Sequence, residues 1–278
     1  DLFEITADGF VKPKDGAAID KSEYEIEVRV RDANKDKEGN LIYPDLYHDK
    51  TFTVRYYTTG VDYMDWDDSQ KKLVSKNTAT DDNIANDKVW ILSGTETTLG
   101  TEGTQKAPTD AWYIARDNVS FDHQIRNAIY CNIHLILADG CAMTVGTENE
   151  PLTSNAIYVY EGGLSIYAQE KGTGSLTAVS SLEIGEGIHV YNDKINEAVF
   201  LTINGGQVTA IGKYAIDVTI SDKNRTGGII INGGKVTANG SERGIYASDN
   251  DKSGSQTTVT INGGEVYSTS YIAIEGRD

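Results

Sequence analysis

The chain has 278 residues, enough for one large or two small domains at roughly 150 residues each. It carries 42 Asp and Glu against 25 Lys and Arg, a net charge of −17, which argues against a nucleic-acid backbone or an anionic membrane surface as partner, since both select basic proteins. No stretch approaches the roughly 18 apolar residues of a membrane-spanning helix, and 2 Cys do not make a disulfide framework.

The chain opens at Asp1 without a charged-then-apolar leader and reads as a mature or trimmed chain. Its acidic, Thr- and Gly-rich, Cys-poor character fits a bacterial exterior: secreted, or held at the cell surface by a lipid or wall anchor. Residues 1–60 read as a small β-sandwich-like unit. Phe3-Glu4-Ile5, Gly9-Phe10-Val11, Tyr24 to Asp32 and Thr51 to Tyr57 are its four strands, and the third alternates strictly. In the turn after it, Asp32, Asn34 and Asp36 offer alternating oxygen ligands, as calcium loops do. Lys37 stands where an EF-hand loop needs Gly, and Tyr43 where it needs Glu, so an EF-hand is excluded. The three remain a calcium candidate beside the alternative of a solvated turn; no other cofactor is expected. Residues 61–88 are acidic, with Asp62, Asp65, Asp67, Asp68, Asp81, Asp82 and Asp87, and read as a linker or surface hairpin.

From residue 89 to 278 the chain repeats itself. Ile203-Asn204-Gly205-Gly206-Gln207-Val208-Thr209-Ala210, Ile231-Asn232-Gly233-Gly234-Lys235-Val236-Thr237-Ala238 and Ile261-Asn262-Gly263-Gly264-Glu265-Val266-Tyr267-Ser268 share one pattern. A second motif, small-Ile-x, starts at Ala128, Ala156, Gly187, Ala215, Gly244 and Ala273, at spacings of 28, 31, 28, 29 and 29. Within a period Leu201, Ile203, Val208 and Ala210 alternate with Thr202, Gln207 and Thr209, which is strand periodicity. Three short strands in about 29 residues are too few for a propeller blade. They predict an all-β protein: a right-handed parallel β-helix of about six coils, with an irregular N-terminal cap. The glycines allow positive φ at a sharp corner. Asn204, Asn232 and Asn262 should stack as an amide ladder. The inward columns should be Ile203/Ile231/Ile261, Val208/Val236/Val266 and Ile216/Ile245/Ile274. The chain stops just after Ala273-Ile274-Glu275-Gly276, so a coil-end contact with a second copy or a further domain is expected.

The segments His134 to Cys141, Leu164 to Gln169 and Gly172 to Ala178, with the Ile-Asn-Gly-Gly-x-Val-Thr-Ala corners, carry a family resemblance. Over roughly residues 60–278, with Val61 to Asp65 and Trp112-Tyr113 as upstream landmarks, the chain resembles surface and secreted proteins of gut-dwelling bacteria labelled carbohydrate-binding domain-containing proteins. The resemblance implies a glycan as ligand but no particular binding residue. Residues 1–60 resemble the C-terminal half of a cadherin-like β-sandwich domain.

Polysaccharide-cleaving β-helices need converging carboxylates. Of the polygalacturonase-type motifs, Gly-His-Gly and Arg-Ile-Lys are absent. His48, His123, His134 and His189 share no short spacing, so no zinc set is visible. Cys131 and Cys141 read as buried free thiols. The x residues of the small-Ile-x motif should point outward in one column: Tyr130, Tyr158, His189, Asp217, Tyr246 and Glu275. Of these Tyr130, Tyr158, His189, Asp217 and Tyr246 are the candidate ligand-binding residues, because Tyr rings stack on sugar faces while their hydroxyls bond to sugar or water. The expected function is non-catalytic: a secreted or surface bacterial module binding polysaccharide or glycoprotein glycans, or an adhesin. A polysaccharide lyase or glycoside hydrolase and a structural spacer are the alternatives.

Overall fold

A computed structural model describes the chain outside residues 1–2, 6–10, 15–22, 32–33, 44–46, 56, 82–83, 85–87, 196–197, 222–224, 250–254 and 278. The described residues are all-β and fall into two compact units, residues 1–57 and 58–278. The first unit contains two antiparallel pairs. Phe3–Ile5 pairs with Val11–Pro13, and Glu23–Arg31 with Tyr47–Arg55. The Phe3 and Tyr24 rings meet edge to face, 5.2 Å apart. Arg29 lies opposite Asp49 and grips it with two bonds of 2.6 and 2.7 Å.

The described residues of the second unit form a parallel β-helix of about six coils with three faces, preceded by a partial turn of Val89–Ile91 and Thr98–Leu99. Face one is built from Val89–Ile91, Thr109–Ala115, Cys131–Leu137, Leu164–Ala168, Val199–Ile203, Thr226–Ile231 and Gln256–Ile261, each parallel to the next. Face two runs through Val119–Phe121, Ala142–Val145 and Ser175–Val179, and face three through Ile125–Asn127, Ile157–Tyr160 and Ile188–Asn192. In the fourth and fifth coils these two faces are one continuous strand, Gln207–Ile220 and Lys235–Asp249, bent at Gly212 and Gly240. In the sixth coil they separate again as Glu265–Ser268 and Ile272–Arg277.

The alternating pattern builds the core directly. Ile203, Val208, Ile216 and their partners Ile231, Val236 and Ile245 are buried. In the sixth coil the same columns come to the surface, with Ile261 45 % and Ile274 44 % exposed. The ladder also forms. Asn232 donates to Asn204 Oδ1 and Asn262 to Asn232 Oδ1, both at 2.7 Å. Gly206, Gly234 and Gly264 turn the corner at φ of 80, 82 and 86°.

The acidic stretch after residue 60 contains a hairpin, Asp62–Asp67 with Lys72–Asn77, that covers face one. Tyr63 is buried against Trp112 and Tyr167, with ring centroids 5.2 and 5.1 Å away. Asn204, at the open end of the amide ladder, donates to Asp65 at 2.8 Å. Asp65 is in turn paired with Lys76 at 2.7 Å. An internal repeat feature thus ends on a side chain 139 positions earlier in the chain.

Candidate functional site

The outward column of face three reads Arg126, Tyr158, His189, Asp217, Tyr246 and Glu275. Four of the five candidate residues, Tyr158, His189, Asp217 and Tyr246, therefore stand in one column. Tyr130 does not. The first coil aligns Ile125 with Ile157, so Arg126 takes the position expected for Tyr130. The motif at Ala128-Ile129-Tyr130 falls in the turn after the strand, and Tyr130 has φ 59°. The side chain of Asn127 is what closes that corner. It donates to the carbonyls of Cys131 and Tyr160 and accepts from Tyr160 N–H.

A second outward column begins Tyr160, Tyr191, Thr219 and Ser248. The rings of Tyr160 and Tyr191 stack 14° from parallel at 5.9 Å, and Tyr158 lies 6.2 Å from Tyr160. Lys194 sits over the Tyr160 ring and donates to its hydroxyl at 3.1 Å. Where this aromatic ladder stops, a pocket of about 250 Å³ opens, lined by Arg126, Asn127, Ile129, Tyr158 and Tyr160. Burial pushes the Tyr158 phenol up to about 12, so it remains a neutral donor at ordinary pH.

The middle of the column is different in kind. Asp217 is only 4 % exposed, and burial, then the Glu186 charge, push its carboxyl up to about 7. Burial holds His189 down at about 4 and raises Glu186. Glu186 comes from the corner loop before the His189 strand. Asn155, one coil back, accepts from Glu186 N–H at 3.1 Å and donates to His189 Nδ1 at 3.0 Å. Sequence reading missed Glu186. The signal was the Glu186-x-x-His189 spacing together with Asp217, the next member of the same column. Further along, Arg243 stacks over Tyr214 and Tyr246 and is paired with Glu275.

The remaining sequence candidates lie elsewhere. Asp32 is outside the described residues. Asp36 Oδ1 accepts from the backbone of Glu38 and Asn40, and its Oδ2 faces Asn40 Nδ2, so both oxygens serve their own turn. These bonds, that from Asn40 N–H foremost, lower the carboxyl. Cys131 and Cys141 are buried and free, and burial raises both thiols. His134 stacks on Trp112 at 4.3 Å, with Tyr167 and Asp110 each 3.1 Å from a ring nitrogen. Burial raises the Tyr167 phenol, so that hydroxyl is no phenolate nucleophile. No protein-family model, no curated protein and no solved structure matches the chain.

Proposed function

We propose that this protein is a non-catalytic binding module of the bacterial surface or exterior, which holds a glycan against face three. One observation carries the reading: the Tyr158 and Tyr160 rings, with Arg126, Asn127 and Ile129, bound a pocket at the end of a stacked aromatic ladder. A volume of about 250 Å³ lies below the roughly 300 Å³ at which drug-sized sites begin, and suits one sugar ring of a chain that continues into solvent. Apolar sugar faces stack on Tyr rings, while Arg126 and the phenols supply hydrogen bonds to hydroxyls. The repeat scaffold supports such a site because coils stacked on a continuous core hold outward side chains in fixed columns. The bacterial setting rests on the repeat motifs and on the acidic, Cys-poor composition.

The test is retention on a panel of plant, mucin and microbial polysaccharides, with new reducing ends or unsaturated sugars recorded in parallel. Retention without product supports the module. In that case Tyr158→Ala and Tyr160→Ala each weaken binding roughly tenfold, about 1.4 kcal/mol. Product release would overturn it in favour of a polysaccharide-cleaving enzyme. Neither retention nor product would leave the spacer reading.

A further inference from the structure

Glu186, His189 and Asp217 place one donor atom each within 4.8 Å of one another. The glycan reading uses none of this cluster. His189 Nδ1 is 3.7 Å from a Glu186 carboxylate oxygen, and Nε2 is 3.8 Å from Asp217 Oδ2. Both separations are too long for hydrogen bonds. The second observation is independent of the clustering: His189 Nε2 is sealed from solvent and has no hydrogen-bond partner. Asp217, 96 % buried by its 4 % exposure, has its Oδ1 bonded to the Thr219 hydroxyl at 3.1 Å, while Oδ2 points toward that nitrogen.

An orphaned nitrogen on an imidazole ring that lies between two carboxyl groups is costly unless something is shared among them. Lys213 and Arg243 lie near enough to favour the ionised Glu186 and Asp217, but neither forms an ion pair with them. Lys213 pairs with Glu242 at 3.4 Å, and Arg243 with Glu275. A divalent cation matches the cluster, since two carboxylates and one neutral imidazole carry a charge of −2 once both carboxyl groups have given up their protons to the incoming ion. The ligand chemistry narrows the class. Calcium seeks six to eight oxygens, and magnesium keeps most of its water. One imidazole nitrogen with two carboxylates is a zinc-type donor set.

We propose that Glu186, His189 and Asp217 bind a divalent transition-metal ion of the zinc class, tying the corner loop of the third coil to the strands of the third and fourth. Donors at zinc distances of about 2.0–2.2 Å must draw together by roughly an ångström, which the loop-borne Glu186 can supply. Metal on Nε2 moves the ring proton to Nδ1. Asn155 then turns its amide over to accept that proton, giving up the bond from Glu186 N–H as the Glu186 loop shifts toward the ion, and so becomes the outer partner that orients the ligand. Raised carboxyl groups and a depressed imidazole agree with this, because an enclosed cation takes over the role of the missing counter-charge.

The experiment uses the full chain without a histidine tag, stripped with EDTA and dialysed. Co²⁺ is titrated by its visible absorption, and Zn²⁺ by calorimetry and by displacement of Co²⁺. The expected result is about one equivalent bound, a higher thermal midpoint with Zn²⁺, and no replacement by Ca²⁺. Asp217→Asn and His189→Gln abolish binding while keeping the far-ultraviolet spectrum of the parent. Asn155→Ala weakens it by roughly 10–100-fold. Should the buried variants misfold, Glu186→Gln on the loop decides. No binding by the parent chain, binding unchanged in folded variants, or preference for Ca²⁺ over Zn²⁺ overturns the site. Glycan retention measured with and without EDTA is a separate readout, so failure of one proposal does not imply failure of the other.

Discussion

Asp217 shows how burial sets the pH response of a single residue. A carboxyl whose folded pKa is about 7, against about 3.9 unfolded, binds its proton more tightly in the folded state. Its contribution to stability therefore falls as pH rises from about 4 to 7. His189, held neutral with a folded value of about 4 against about 6.5 unfolded, has the opposite sign, and stability rises with pH across that window. Below about pH 6.5 the two oppose each other, and above it the cost of ionised Asp217 stands alone. In EDTA-treated protein, Asp217→Asn should raise the thermal midpoint at pH 8 by on the order of 2 kcal/mol, or roughly 4–8 °C. The gain should vanish near pH 5. A lower midpoint at pH 8 would mean that the ionised carboxylate is better satisfied than its surroundings indicate. Asp217 and His189 were both visible as column members. Their enclosure was not, because it depends on Glu186 and the corner loop that folds over them.

At the scale of the element, the Asn-Gly-Gly corner is where sequence and geometry agree most closely. Asn232 both donates to Asn204 and accepts from Asn262. Asn232→Ala strands one partner on each side, and should cost about 1–3 kcal/mol in urea unfolding. Gly234 and Gly140 have nearly the same φ, 82 and 79°, but different surroundings. A Cβ on Gly234 would lie 2.5 Å from Gly206 O, whereas one on Gly140 meets nothing within 4 Å. Gly140→Ala should thus cost only the left-handed strain of about 1–2 kcal/mol, and Gly234→Ala clearly more. Equal costs would show that strain, not the close stacking of coils, makes the corner glycine necessary. The first coil marks the limit of reading by period. Its motif at Ala128 fits the spacing, yet Ile125 is the residue that enters the core, and Arg126 displaces Tyr130 from the outward column.

Across the whole molecule, coils stabilise one another as nearest neighbours, so one residue type carries different weight along one column. Ile203 is fully buried between coils, and Ile261, two coils further on, is 45 % exposed. Ile203→Ala should cost about 2–5 kcal/mol and Ile261→Ala under about 1 kcal/mol by thermal or urea unfolding. The hairpin adds a cross-tie to this linear scheme. Tyr63→Ala should remove about 3–5 kcal/mol and speed hydrogen exchange on face one around Trp112 and Tyr167.

The sequence by itself determined the period, the parallel β-helix, the inward Ile and Val columns, the Asn ladder and most of one outward column. All of these follow from alternation within a strand and repetition between coils, which one-dimensional spacing records. Only the tertiary structure decided that Asp65 ends the ladder, that Arg126 stands in the first coil, and that Glu186 meets His189 and Asp217. Those outcomes depend on irregular corner loops and on a hairpin folding back across the coils, and neither obeys the repeat.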